Sequence, residues 1–443
     1  MTRDKIKNFF KSKVFIMGAI YTLVFFLAGF WRYLEFLIIP TAIIAFCILP
    51  VDQGFYLYLY TQAFYKAPMF MRPGIVTEVI FMVILLIKYL IGWRKHKYQL
   101  YKRLGMMIAL FTVFSLIVSG FNKMVLYSIG YVFYLPVFYL VFATRKEYDL
   151  KKITRVLAAA VIISSVVSLG LWSVGTCYLN EGGIIRFKAF YGSPNTLYIN
   201  ALFALSCYMF MFFKRKIEFK EYIVIYFALA SISLTSFSKA NIVLLAMLTF
   251  ISVVVYLFQD FKKHSLQVLV AILIATIVLV VFKDFTIAII TRFLRIDTDN
   301  FLNSLLTGRM DIWSAYIKDI FEDPIDFLFG HGMLSKYTYV PEQGWDRAQH
   351  NLYIFLLYKF GLIGIFFLGV IAWQFIVDSG KTSPKFVNFI PLIYFLVGGM
   401  VDNSFFYPQF YVIVAMALFA TKNKSEAKEV EENKQVKELK SKN

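Results

Sequence analysis

Three stretches of the chain carry side chains suited to holding an anion and moving a proton. "RFKAFYGSPN" (186–195) sets Arg186 and Lys188 beside a Gly/Pro turn that ends at Asn195. "TGRMDIW" (307–313) holds Arg309, and "AQHNLY" (348–353), which directly follows Arg347, holds His350 and Asn351. Guanidinium groups grip carboxylates or phosphates through paired donors, while an imidazole can take up a proton near neutral pH. Lys239, in "TSFSKAN", sits at a tight turn between two apolar runs and is a further candidate phosphate cation. Lys188, Lys239, Asn195, Asn351 and Arg347 are therefore expected to bind substrate around a catalytic set of Arg186, Arg309 and His350.

Helical periodicity sharpens two of these positions. Between Gly308 and Glu322 the apolar residues Ile312, Trp313, Tyr316, Ile317, Ile320 and Phe321 recur at helical spacing, and Asp323-Pro324 ends the run. On a helical wheel Arg309 falls within about 20° of the middle of that stripe. It is aimed inward and needs an anionic partner: an Asp, a Glu or a ligand phosphate. Asp346 and Gln349 have capping-box spacing, which predicts a helix start near Arg347 with His350 about one turn in. Gly361 and Gly364 then share a face with His350, as small residues do where membrane helices meet. The positive end of the helix dipole favours a neutral imidazole. Lys359 falls on the opposite face, where an internal carboxylate such as Asp402 could pair with it.

These residues need elements to hold them, and the composition says which. Hydrophobic residues make up 60% of the 443 and charged residues 16%, with a mean hydropathy of +0.67. That balance excludes an ordinary soluble domain. Apolar runs of about span length lie at 14–30, 34–50, 74–92, 104–120, 124–143, 156–175, 196–213, 222–237, 239–258, 266–283, 351–377, 387–402 and 405–421. The aromatic-rich segment 54–71, interrupted by Lys66 and Pro68, is ambiguous by hydropathy. The basic clusters at 2–13, 94–103, 145–155, 214–220 and 261–264 fall on one side only if it crosses. The expected fold is an all-α polytopic membrane protein of about 12–14 transmembrane helices with a partly helical external loop. Both termini are expected in the cytoplasm, in the cytoplasmic (inner) membrane.

The predicted organisation has four parts. An N-terminal helical region (1–283) includes a short external loop (176–195). A large external loop (284–349) is followed by C-terminal helices (350–421) and a charged cytoplasmic tail (422–443). The net charge of +19 lies mostly in short loops, where membrane orientation and anionic lipid explain it without nucleic acid. Cys47, Cys177 and Cys207 are too dispersed for a disulfide framework or a metal cluster. No cofactor and no metal is expected.

"RFKAFYGSPN", "TGRMDIW", "DPIDFLFGHG" and "AQHNLYIFLLYKFGLIG" resemble, in order and spacing, the O-antigen ligase and O-antigen polymerase superfamily of bacterial envelope polysaccharide enzymes. The resemblance implies a C-type glycosyltransferase fold whose donor is an oligosaccharide on polyprenyl diphosphate. It also implies roles for Arg186, Arg309 and His350, and departs from the pattern at Ser238-Lys239, where relatives often carry Ser-Arg. The expected activity is polymerisation: transfer of the lipid-linked glycan to another lipid-linked repeat unit, with His350 deprotonating the acceptor hydroxyl and Arg186 and Arg309 on the diphosphate. Asp346, Glu342 and Asp326 are alternative bases. A ligase passing the glycan to lipid A-core is the nearest rival, and a transporter or flippase of lipid-linked sugars is the non-enzymatic one. Expected partners are membrane lipid, a chain-length regulator and a flippase.

Overall fold

The computed structural model describes residues 13–64, 73–92, 149–181, 183–259, 283–294, 308–332, 335, 338–341, 344–379 and 386–402, with scattered helical positions in 106–117, 265–281 and 412–413. The segment 124–143, most of 405–421, the tail 422–443 and Glu342 lie outside the described residues.

The early helices are α1 (Lys13–Ala28), α2 (Ile38–Ile48), α3 (Val51–Thr61) and α4 (Pro73–Gly92). Their directions can be read from contacts between distant residues. In α4, Lys88 donates through Nζ to the carbonyls of Phe46 and Leu49, left open where α2 stops before Pro50. Midway along α3 the Tyr56 hydroxyl accepts from the Asp149 amide at 3.4 Å, beside a basic cluster. Just past its end Phe64 stacks on Phe190 of the 176–195 loop, ring centroids 5.5 Å apart. Residues 51–64 thus touch the start of the helix at Leu150–Leu169 through Tyr56 and the 176–195 loop through Phe64. Residues 65–72 of that segment are outside the described set.

Among the described residues, four helices are long and apolar enough to span a bilayer, at Leu150–Leu169, Pro194–Phe213, Lys239–Phe258 and Leu352–Val377. The first, α5 (Leu150–Leu169), starts six residues before the predicted 156. Asp149 caps it, accepting from the Lys151 amide at 2.9 Å. The basic residues Lys151, Lys152 and Arg155 thus ride on the first turns, where long cationic side chains reach the membrane edge. Arg155 there grips Glu221 with two hydrogen bonds, at 2.8 and 2.6 Å.

The central helix is α6 (Pro194–Phe213), capped by Ser193 with Pro194 at its first position. It is apolar on all sides and buried along most of its length, as a span surrounded by protein must be. Around it lie α5, α7 (Phe219–Leu234), α8 (Lys239–Gln259) and a later helix at Ile390–Gly399.

The remaining described α-helices lie after the α8 span. They are α9 (Lys283–Leu294), α10 (Arg309–Glu322), α11 (Pro324–Phe329), α12 (Leu352–Ser379) and α13 (Ile390–Gly399). Two small antiparallel hairpins complete the set, β1 (Tyr178–Glu181) with β2 (Ile184–Phe187), and β3 (Thr338–Val340) with β4 (Trp345–Arg347). The helix expected over 308–322 is α10, and Asp323-Pro324 ends it as read. Gly183 lies in the β1–β2 turn at φ +80°.

α12 is broken at Gly361, where φ is +59° and ψ −156°. The break orphans the carbonyls of Tyr358 and Lys359. The amides of His331 and Gly332, in the turn after α11, donate to them at 2.8 and 3.0 Å. The two backbones touch: a Cβ on Gly361 would lie 2.3 Å from Leu328 C, and one on Gly330 2.4 Å from Phe360 N. The glycine of α12 does mark a contact face, as expected, but through a backbone break that seats the "FGHG" turn against the span.

Candidate active site

The first half of the site is held by the β1–β2 hairpin. Register pairing puts Arg186 opposite Leu179. The Phe187 amide donates to Thr235 O at 3.0 Å, which pins the hairpin to the α7–α8 turn. Arg186 is buried. Its Nε donates to Ser236 O at 2.8 Å, its Nη2 to Asn195 Oδ1 at 3.1 Å, and its Nη1 to Glu181, whose side chain is nearly half exposed. Asn195, on the first turn of α6, thus orients the guanidinium. Lys188 is buried beside Cys177, whose carbonyl accepts the Lys188 amide at 2.9 Å. Burial pushes the Cys177 thiol up, away from reactivity. Lys239 opens α8 in the same turn that Arg186 contacts.

The second half is organised by α10. Gly308 precedes it at φ +77°, and Arg309, the first helical residue, is buried as the wheel predicts. Its Nη1 donates to the carbonyl of Val401. Among the described residues no carboxylate pairs with Arg309. Further along α10, Trp313 Nε1 donates to Gln349 O at 3.0 Å and the Tyr316 hydroxyl to Arg347 O at 2.6 Å. These two bonds hold 347–349 extended, on the approach to His350.

That extended approach overturns the expected capping box. Asp346 lies in β4, paired with Tyr339, and α12 begins only at Leu352. Its cap is Asn351, whose Oδ1 accepts from the amides of Tyr353 and Ile354 at 2.9 and 3.2 Å. His350 lies outside the helix in the left-handed region, at φ +48°. The face shared with Gly361 and the helix-dipole argument for its imidazole therefore fall away.

Residues 400–402, just beyond α13, connect these pieces. Met400 O accepts from Asn351 Nδ2 at 3.1 Å, Val401 O accepts from Arg309, and Asp402 Oδ1 stands 3.7 Å from His350 Nδ1. Asp402 is 8% exposed at its side chain and His350 40%. The expected pairing of Lys359 with Asp402 is incorrect: Lys359 Nζ donates to Ser335 O and Oγ at 2.6 and 2.8 Å. Asp402 is the residue that sequence reasoning misassigned. Its signal was a carboxylate in an apolar stretch, which needs a named partner.

Tyr198, in the first turns of α6, joins the halves. The charged groups acting on its buried hydroxyl are Asp402, Arg309 and Arg186, with Ser238 alongside. Arg309 and His350 thus both meet residues 401–402, and Arg186, Arg309 and Asp402 all act on the Tyr198 hydroxyl. Asn195 and Asn351 act there by positioning. Arg347 contributes its carbonyl to Tyr316, and its side chain is half-buried. Of the alternative bases, Asp326 faces His331, 3.4 Å from Nε2, and belongs to a separate cluster at the α12 break.

Residues 224–369 match the family described as O-antigen ligase. No curated protein matches the chain. The matched segment holds Lys239, Arg309 and His350, while Arg186, Tyr198 and Asp402 lie outside it. Members of this family are glycosyltransferase-like enzymes acting on lipid-linked oligosaccharides. The apolar spans fit a multi-pass membrane protein, and the segment 224–369, a third of the chain, is similar to the O-antigen ligase family.

Proposed function

We propose that this protein is a polysaccharide polymerase that transfers a glycan from polyprenyl diphosphate to another lipid-linked repeat unit at the outer face of the cytoplasmic membrane. One observation carries the reading. Among the described residues, Arg309 is buried with one neutral acceptor, Val401 O, and no carboxylate partner, and the His350–Asp402 pair adjoins that acceptor. A buried guanidinium without a counter-ion is costly, and an anionic ligand relieves that cost. Arg186 supplies a second cation across Tyr198, so a diphosphate fits the chemistry better than a single carboxylate would.

The reaction then proceeds as an inverting displacement. Asp402 orients the imidazole through Nδ1, leaving Nε2 to take the proton from the acceptor hydroxyl. The acceptor oxygen forms its bond to the anomeric carbon as the bond from that carbon to the phosphate oxygen breaks. The electron pair leaves on the polyprenyl diphosphate, and Arg186 and Arg309 stabilise the growing charge without a metal. The family description favours a second reading, a ligase passing the glycan to lipid A-core.

Reconstitution with lipid-linked repeat units tests both. A polymerase yields a ladder of longer lipid-linked glycans in EDTA as well as in its absence. Transfer only to added lipid A-core would establish the ligase. Elongation that survives in a folded Arg309→Ala protein would overturn the proposed site.

A further inference from the structure

The two halves of α12 are covered differently. On the Val377 side of the Gly361 break the helix exposes Leu362, Phe366 and Trp373. On the other side no residue from Leu352 to Phe360 is exposed, because α10 and α11 pack over that half. The exposed half alone is too short to cross a bilayer. From Gly361 to Val377, where the apolar window ends just before Asp378, it rises only about 24 Å. Against a hydrocarbon core of about 30 Å, the break therefore lies about 6 Å inside the far boundary, and tilt sets it deeper.

Whatever touches the break sits at that depth. Gly330 meets Phe360 and Gly361 backbone to backbone, and Leu328 meets Gly361 in the same way. α11 thus ends inside the apolar layer, and its side chains are sorted accordingly. Ile325, Leu328 and Phe329 are 64, 45 and 44% exposed, and Phe321 just before the helix is exposed too. Asp326, the one acid within α11, turns instead to His331, and Lys359 on the covered half of α12 is bonded to Ser335. Outward apolar residues with polar groups paired inward are the pattern of a surface in lipid, whereas in water such a patch is a liability. The exposed acids Glu322 and Asp323 precede the helix. Six helical residues rise about 9 Å at most, enough to bring the chain from Gly330 back to the boundary at those acids.

We propose that α11 is re-entrant: the chain dips from Asp323 into the leaflet away from Val377, turns at Gly330 against the break and returns to β3. Lipid hydrocarbon covers Ile325, Leu328 and Phe329, continuing the exposed face of α12 where that helix itself is hidden. The dip pins the loop that carries Arg309 to the bilayer. This goes beyond the transfer reaction and holds for either glycan acceptor.

Spin labels on single cysteines test the dip in full-length protein in lipid nanodiscs. The background is Cys47→Ser, since Cys47 is exposed while Cys177 and Cys207 are buried. Leu328→Cys and Ile325→Cys are compared with Phe366→Cys, exposed on the span itself, and with Lys216→Cys, exposed in the turn after α6. Collision rates with oxygen, which concentrates in hydrocarbon, and with a water-soluble nickel chelate are measured for each. The oxygen-to-nickel ratio in Leu328→Cys should be several-fold above that in Lys216→Cys and approach that in Phe366→Cys, with Ile325→Cys lower than Leu328→Cys because it sits nearer the boundary. A ratio in Leu328→Cys equal to that in Lys216→Cys would place α11 in water and overturn the proposal. Slow collision with both reagents would show protein over this face, a second copy of the chain included, and would overturn it equally. If Leu328→Cys does not fold, Ile325→Cys decides: a ratio no higher than in Lys216→Cys is the overturning result.

Discussion

Two histidines lie beside α12, each within 4 Å of a carboxylate, and they are built in opposite ways. At the end of the bundle His350 is 40% exposed and its carboxylate, Asp402, only 8%. At the Gly361 break His331 is 19% exposed and its carboxylates, Asp319 and Asp326, about a third exposed. His331 also stacks on Tyr358, centroids 4.3 Å apart, and its own amide is committed to Tyr358 O. One imidazole is reachable and oriented from behind by a buried charge. The other is stacked on Tyr358 while its backbone is tied to the helix break it caps. The first arrangement suits proton transfer and the second suits holding a backbone break, although both read in sequence as a histidine near an aspartate.

The strongest test of that contrast is His350→Ala against His331→Phe. Loss of a positioned general base should lower elongation by about 10²- to 10⁴-fold with unfolding temperature unchanged. His331→Phe keeps the ring on Tyr358 and the amide on the broken helix, and should stay within about an order of magnitude of wild type. Equal inactivity in two folded variants would show that the break region does chemistry after all. Next in size is Gly361→Ala, which strains a backbone region closed to other residues and drives a Cβ into Leu328. We expect a loss of about 3 kcal/mol or more in thermal or denaturant unfolding. Wild-type stability in that variant would mean that the break is not needed.

How far the sequence reveals this contrast differs residue by residue. The inward Arg309 was legible because a 14-residue amphipathic helix leaves little freedom in phase. The helix start at His350 was not. Asp346…Gln349 and Asn351 both offer good caps, and the choice between them is made by Trp313 and Tyr316, which hold the carbonyls of 349 and 347 in an extended chain. The break at Gly361 was hidden for a different reason: the run from 351 to 377 is apolar throughout, and the donors that repair the break come from residues 331 and 332. Tyr198 gave no signal within an apolar span, since only its neighbours from three other segments make it unusual.

Smaller effects separate the carboxylates. Asp402→Asn keeps the shape beside His350 and loses the charge that steadies the imidazole. Elongation should fall about 10- to 100-fold, less than for a tight dyad because the gap is 3.7 Å rather than a hydrogen-bond length. Asp326→Asn should leave the rate near wild type, and a matching fall there would erase the distinction between the clusters.

The smallest expected effect belongs to Lys359, and it bears on the pairing that the sequence suggested. Its ammonium group is buried within a span and satisfied by Ser335 O and Oγ. Lys359→Met keeps the aliphatic stem, removes two hydrogen bonds and also removes the cost of burying a charge. These terms oppose one another, so unfolding should shift by no more than about 1 kcal/mol in either direction. Elongation should hold at the wild-type rate, because the carboxylate of Asp402 is oriented by its own surroundings and not by this lysine. If Lys359→Met instead reproduces the fall seen in Asp402→Asn, the two residues are coupled in the working enzyme, and the site extends from His350 down to the break at Gly361.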